Sequence, residues 1–188
     1  MIQAMKKKSI IHFLTFYFLI GISMNSHADS KIQCVLDMGS NTFKFAVFKK
    51  ENNKFKIISS RRDPMGVGDD ISQNKKLSNK LEISDSKLSE IDKIFLTYQT
   101  NCKNDFKTNT IKALATAAFR DAKNSDKVIQ IGKKHSINIK IVSIQEEAEL
   151  AFRTANHTGT QTDLVLDFGS RTTDIANKIQ NNRLETKG

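Results

Sequence analysis

Ile32-Gln33-Cys34-Val35-Leu36-Asp37-Met38-Gly39-Ser40-Asn41-Thr42-Phe43-Lys44-Phe45 is the stretch on which the fold turns. Ile32 to Leu36 is short and apolar, as a strand buried on both faces must be. Asp37-Met38-Gly39-Ser40-Asn41-Thr42 has the composition of a tight turn. After it, Phe43, Phe45, Val47 and Lys49 alternate with Lys44, Ala46, Phe48 and Lys50, the period of two expected of a second strand. The same unit returns 130 residues later: Leu164 to Asp167 is an apolar strand, Asp167-Phe168-Gly169-Ser170-Arg171-Thr172 a turn, and Thr172 to Ile179 a second strand. Both turns follow the pattern D-x-G-S-x-T, each directly after a buried strand. Glycine lets backbone approach phosphate oxygens, consecutive N–H groups and hydroxyls can donate to them, and the aspartate is a hard oxygen ligand suited to magnesium. One copy is an ordinary turn sequence. Two copies in matched contexts imply a pair of phosphate loops facing each other across a cleft.

Working outward from the first unit, Glu51-Asn52-Asn53-Lys54 is a turn and Phe55 to Ser59 a third strand, which completes an antiparallel meander. A loop with Pro64, Gly66 and Gly68 follows. Leu88, Ile91, Phe95, Tyr98 and Cys102 recur at three- and four-residue steps, so Asp85 to Cys102 is predicted to be an amphipathic helix. Ile111 to Ala115 is a strand, Asp126 to Lys134 a helix capped by Asn124 or Ser125, and Ile137 to Val142 a strand. Ser143 and Glu146 have capping-box spacing and open a helix through Phe152. After the second unit, Asn181-Asn182 forms a turn. A meander followed by helical crossovers implies an α/β fold, a mixed five-stranded sheet flanked by helices. This order is similar to the actin-like, ribonuclease-H-like fold. Residues 29–160 would form one such domain, and residues 161–188 the truncated start of a second.

Residues 1–28 are set apart. Lys6-Lys7-Lys8 precedes an apolar run from Ile10 to Met24, and Ser26 and Ala28 supply small residues for cleavage. The run is shorter than the roughly 20 apolar residues of a membrane span. A cleavable signal peptide is expected, with an uncleaved anchor as the alternative, and a periplasmic or secreted location follows. No stable membrane span would remain after cleavage. The chain of 188 residues carries a net charge of +10; the leader holds three lysines and no acid, leaving +7 on the remainder. That balance favours polyanions, but the lysines are scattered, with no block that would mark a specific nucleic-acid surface. Cys34 and Cys102 are too few for a disulfide framework or a cysteine-rich metal site. Both fall at apolar positions and are expected as buried thiols, a single disulfide remaining possible in an oxidising compartment.

Four motifs together resemble the exopolyphosphatase/guanosine-pentaphosphate phosphohydrolase family. Asp37 to Phe43 is similar to its D-x-G-S-N-[ST]-F loop, and Val67-Gly68-Asp69-Asp70-Ile71 to L-G-[ED]-G-[IL]. Ala115 to Asn124 is similar to T-[AS]-x-[LF]-R-[ED]-A-x-N, and Ser143 to Leu150 to S-G-x-E-E-A-x-L. The resemblance implies hydrolysis of a terminal phosphoanhydride in polyphosphate or a phosphorylated guanosine nucleotide. By it, Glu147 is the general base and Arg120 holds the phosphate chain. Gly39, Ser40, Asn41 and Thr42, with Gly169, Ser170, Arg171 and Thr172, wrap phosphate. Asp37 and Asp167 ligate or position Mg2+, assisted by Asp174. Blander readings compete: a dipole-stabilising surface glutamate at 147, a surface arginine at 120, a solvated Lys44, and a packing or capping His157.

The chain departs from that pattern in three ways. Ser170 and Arg171 stand where the second loop usually has glycines, and Gly66 stands where an arginine commonly precedes the Val67 motif. Only 14 residues follow Asp174, too few for the helices that would cover a second sheet. A homodimer or a missing C-terminal half is therefore expected. A non-catalytic polyphosphate or phosphate binder, and an actin-like ATPase or kinase fragment, are the alternative functions.

Overall fold

A computed structural model describes residues 32–51, 54–157, 164–168, 173–179 and 183–187. The expected leader 1–28 and the turns at Asn52-Asn53 and Asn181-Asn182 lie outside the described residues, as does the second loop, Gly169 to Thr172. The first sheet has the order β3-β2-β1-β4-β5, from Ile32–Met38 (β1), Thr42–Glu51 (β2), Lys54–Pro64 (β3), Ile111–Ala115 (β4) and Ile137–Ile141 (β5). β1, β2 and β3 form the antiparallel meander; β4 and β5 add in parallel to β1. This is the expected α/β architecture, a mixed five-stranded sheet flanked by helices. The helices are Val67–Ser78 (α1), Asp85–Phe106 (α2), Ala117–Asp121 (α3), Ser125–Lys134 (α4) and Ile144–His157 (α5). Leu164–Phe168 (β6), Thr173–Ile179 (β7) and Arg183–Lys187 (β8) form a second, antiparallel sheet.

The period of two along β2 partitions its side chains between two cores. Phe43, Phe45 and Val47 are buried on the face covered by α2, whose stripe Leu88, Ile91, Phe95, Tyr98 and Cys102 is buried as its spacing requires. Phe43 stacks on Phe95 with centroids 6.2 Å apart, and Phe45 on Tyr98 at 4.8 Å. The Tyr98 hydroxyl, pushed up in pKa chiefly by burial, donates to Asp63 at 2.7 Å. On the opposite face Val35, Ala46, Phe48 and Leu114 pack with Val142 and with Leu150 of α5. The sheet is thus enclosed on both sides, and burial of each such large side chain contributes about 1.5–3 kcal/mol.

Two local expectations are corrected, and a third is met in position but not in its bond. β3 runs on to Pro64, taking in residues assigned to a loop. As an edge strand its outer half is exposed and needs no apolar alternation, and a proline at its end removes no ladder bond that the sheet requires. Pro64 is followed by α1, again where a loop was expected. Only Val67, Gly68 and Ile71 of that helix are buried, so it carries no apolar stripe to betray it. Asn124 occupies the N-cap position of α4 but makes no cap bond; its amide instead accepts from Ile83 N–H and donates to Ile83 C=O, both at 2.9 Å.

The cysteines are also corrected. Cys34 of β1 and Cys102 of α2 face one another across the first core, with Cα atoms 6.4 Å apart, and are joined as a disulfide. Both are 1% exposed. The bond closes a 68-residue separation, which in the chain-entropy picture corresponds to about 4 kcal/mol. Reduction, or a Cys34→Ala/Cys102→Ala double substitution, is expected to lower the unfolding free energy by 2–4 kcal/mol in urea titrations, on the order typical of native bridges. Identical midpoints with and without reductant would show that the bridge contributes nothing.

Candidate functional site

β1, β4 and β5 run parallel, so their carboxyl ends lie along one edge of the sheet, where open α/β sheets bind ligands. The register brings Met38 beside Ala115 and Ala115 beside Ile141. Three connections leave from that row: 39–42 after β1, Thr116–Arg120 after β4, and Ser143–Glu147 after β5. Backbone bonds stitch them together. Thr116 N–H donates to Met38 C=O at 3.3 Å, and Val142 N–H to Ala115 C=O at 3.0 Å.

Arg120, in the short helix α3, donates through Nη1 to Val142 C=O at 2.9 Å and to Glu147 Oε2 at 2.6 Å. The side chains of this ion pair are 16% and 12% exposed. Glu147 sits in the first turn of α5, where aligned peptide dipoles favour a carboxylate. Its neighbour Glu146 is spent locally. Glu146 N–H donates to Ser143 Oγ at 3.1 Å and Ser143 N–H donates to Glu146 Oε2 at 3.0 Å, the reciprocal capping box its spacing predicts. Lys140 first, with the Ser143 N–H, holds the Glu146 carboxyl below the usual range.

Asp37 is 6% exposed at the end of β1. Its cross-strand partner is Lys44, whose Nζ donates to Asp37 Oδ2 at 3.0 Å. The turn between them is tight: Gly39 N–H donates to Thr42 C=O at 3.1 Å, and a Cβ on Gly39 would lie 3.1 Å from that same oxygen. Any side chain at 39 would press on the turn. Ser40 is buried, and Asn41 Oδ1 is buried without a partner among the described residues. An unpartnered buried oxygen of this kind is open to a hydrogen-bond donor.

The sequence repeat is a repeat of structure. β6 and β7 pair antiparallel, as β1 and β2 do, and the register opposes Asp167 to Asp174 as it opposes Asp37 to Lys44. The position held by a cation in the first hairpin carries an acid in the second. Gly169, Ser170, Arg171 and Thr172 lie outside the described residues, and so does the side chain of His157.

The structure therefore brings Arg120 and Glu147 into contact and sets Asp37, Ser40 and Asn41 on the same edge of the sheet. Sequence reasoning missed Asn124 as the brace of Ile83. It also missed Lys87, whose Nζ donates to Met65 C=O at 2.6 Å. Neither has a local signal, since both bonds span many residues.

Topology and site geometry together define a mixed α/β domain with a tight glycine-containing loop at its carboxyl edge. The sequence pattern of the Ppx/GppA phosphatase family matches residues 46–183, and the chain belongs to that family. Among solved structures it is similar to the PPX-GPPA enzyme of Aquifex aeolicus, with 20% identity and a TM-score of 0.66 over 83% of this chain and 52% of that one. It is similar as well to an exopolyphosphatase from Cytophaga hutchinsonii, with 20% identity and a TM-score of 0.68 over 83% and 50%. The chain spans about half the length of these structures.

Because Arg120 and Glu147 are mostly buried, removing one charge strands the other. Arg120→Met and Glu147→Gln are each expected to cost about 2–3 kcal/mol of stability, and the double variant clearly less than their sum. Additive losses in a denaturation cycle would show that the two groups do not interact.

Proposed function

We propose that this chain forms the first wall of a phosphoanhydride hydrolase that releases terminal phosphate from polyphosphate or from guanosine pentaphosphate. The observation that carries the reading is the 2.6 Å contact between Arg120 and Glu147 at the carboxyl edge of the sheet. A guanidinium and a carboxylate are held together there beside a glycine-containing loop.

In this mechanism Arg120 exchanges its bond with Glu147 for bonds to phosphate oxygens, offsetting charge that develops in transfer. Glu147, released from the arginine, accepts a proton from water as the water oxygen attacks the terminal phosphorus. The bond from that phosphorus to the bridging oxygen breaks, giving inorganic phosphate and a chain shorter by one unit. Gly39 to Thr42 would hold phosphate, and Gly169 to Thr172 carry the matching sequence for the same task. The donors at both turns are carboxylate, hydroxyl and carbonyl oxygens, the ligand chemistry magnesium requires. Asp37, Asp167 and Asp174 would hold Mg2+, which when bound supplies neutralising charge to the phosphates. Lys44, 3.0 Å from Asp37 Oδ2, holds that side chain in place.

The chain acts outside the cytoplasm in this reading, supported by the Cys34–Cys102 disulfide and the leader-like residues 1–28. Ser170 and Arg171, in place of glycines, favour a second reading, a polyphosphate binder without turnover.

Phosphate release from polyphosphate and from guanosine pentaphosphate, measured with magnesium, separates the two. Release by the native chain that falls at least ~100-fold in Glu147→Gln, with binding retained, is the expected result. Binding without release by the native chain would establish the binder instead, and unchanged turnover in Glu147→Gln would remove that residue as base.

A further inference from the structure

We propose that Lys87 and the segment Met65 to Gly68 are a buttress that sets the peptide planes of the 39–42 loop, making Lys87 a positioning residue for phosphate binding. The inference rests on the functional reading above for its ligand, and on backbone geometry for the rest.

Three N–H groups converge on two carbonyls of the loop. Gly68 N–H donates to Ser40 C=O at 2.8 Å, and Met65 and Gly66 N–H both donate to Asn41 C=O, at 2.8 and 3.0 Å. In a trans peptide the carbonyl and the following N–H point in opposite directions. Tying the Ser40 carbonyl to the start of α1 therefore turns the Asn41 N–H away from it. Tying the Asn41 carbonyl does the same to the Thr42 N–H. Two successive amides are thereby aimed off the buttress, the arrangement in which backbone binds an anion.

The buttress is itself held. Met65 C=O accepts from Lys87 Nζ at 2.6 Å, and Glu90 fixes the same ammonium at 2.5 Å. Gly66 takes φ +56°, which turns the chain from β3 into α1 and lets its N–H join that of Met65 on one acceptor. At the other end Asp70 accepts from Ser84 N–H at 2.9 Å and from Ser84 Oγ at 2.5 Å, locking α1 to the start of α2. Lys87 thus links α2 to the loop's peptide orientation through Met65. The Val67 motif gains a physical role: its backbone faces the loop from behind.

The test is Lys87→Met, which keeps the stem and removes the donor, with Lys87→Arg as the conservative variant. Amide hydrogen exchange over 39–42 and calorimetric binding of inorganic tripolyphosphate are the readouts, beside global urea unfolding. Lys87→Met is expected to speed exchange in the loop and weaken tripolyphosphate binding about tenfold, the scale of one bond from a charged donor, with the unfolding midpoint held. Lys87→Arg is expected to restore both. Gly66→Ala is a second probe: its Cβ would meet nothing within 4 Å, so only the positive φ resists it, and the same local loosening is expected. Loop exchange unchanged in both variants, or raised evenly across the whole sheet, overturns the buttress. Should the native chain ignore tripolyphosphate, the hydrolase reading falls, while the exchange data still decide for or against the buttress.

Discussion

Parallel alignment of β1, β4 and β5 is the constraint on which the site depends. Chains that enter a sheet in the same direction must leave it at the same edge. The turn after β1, the short helix after β4 and the capped helix after β5 therefore share one neighbourhood. Arg120 and Glu147 lie 27 residues apart, and only the ladder of β4 on β5 makes them neighbours. The pair bonds at once to each other and, through Arg120, to the backbone at Val142. It joins the connection after β4 to the one after β5.

Rigidity behind this edge comes from packing on both faces. β1 carries Cys34, Leu36 and Met38 into the core under α2, and Val35 into the core under α5. The disulfide ties that central strand to α2. Since α2 also supplies Lys87 and the Ser84 cap, one helix anchors both the strand that carries Asp37 and the segment behind the loop that follows it. Several polar side chains here meet specific partners: Asn124 both backbone groups of Ile83, Asp70 Ser84, and Asp63 Tyr98.

The two hairpins share a plan but differ in charge. Seven residues separate Asp37 from Lys44 and Asp167 from Asp174, and in each case the register sets the two opposite one another. An acid facing a lysine gives a neutral, self-satisfied pair. The second hairpin places an acid opposite an acid in register, without that balance.

Sequence by itself determined the elements with a strong periodic or repeated signal. The alternation along Phe43 to Phe48, the stripe from Leu88 to Cys102, the Ser143–Glu146 capping box and the D-x-G-S-x-T repeat are all short-range facts, readable because each encodes its own burial or its own hydrogen bond. Tertiary structure decided what depends on contacts distant along the chain. The polar edge half of β3 and the sparsely buried α1 have no apolar pattern of their own, and they form because Asn41, Ser40 and Ser84 supply partners. The Cys34–Cys102 bridge, Asn124 on Ile83, and Lys87 behind the loop likewise follow from Cα positions that the fold alone brings together.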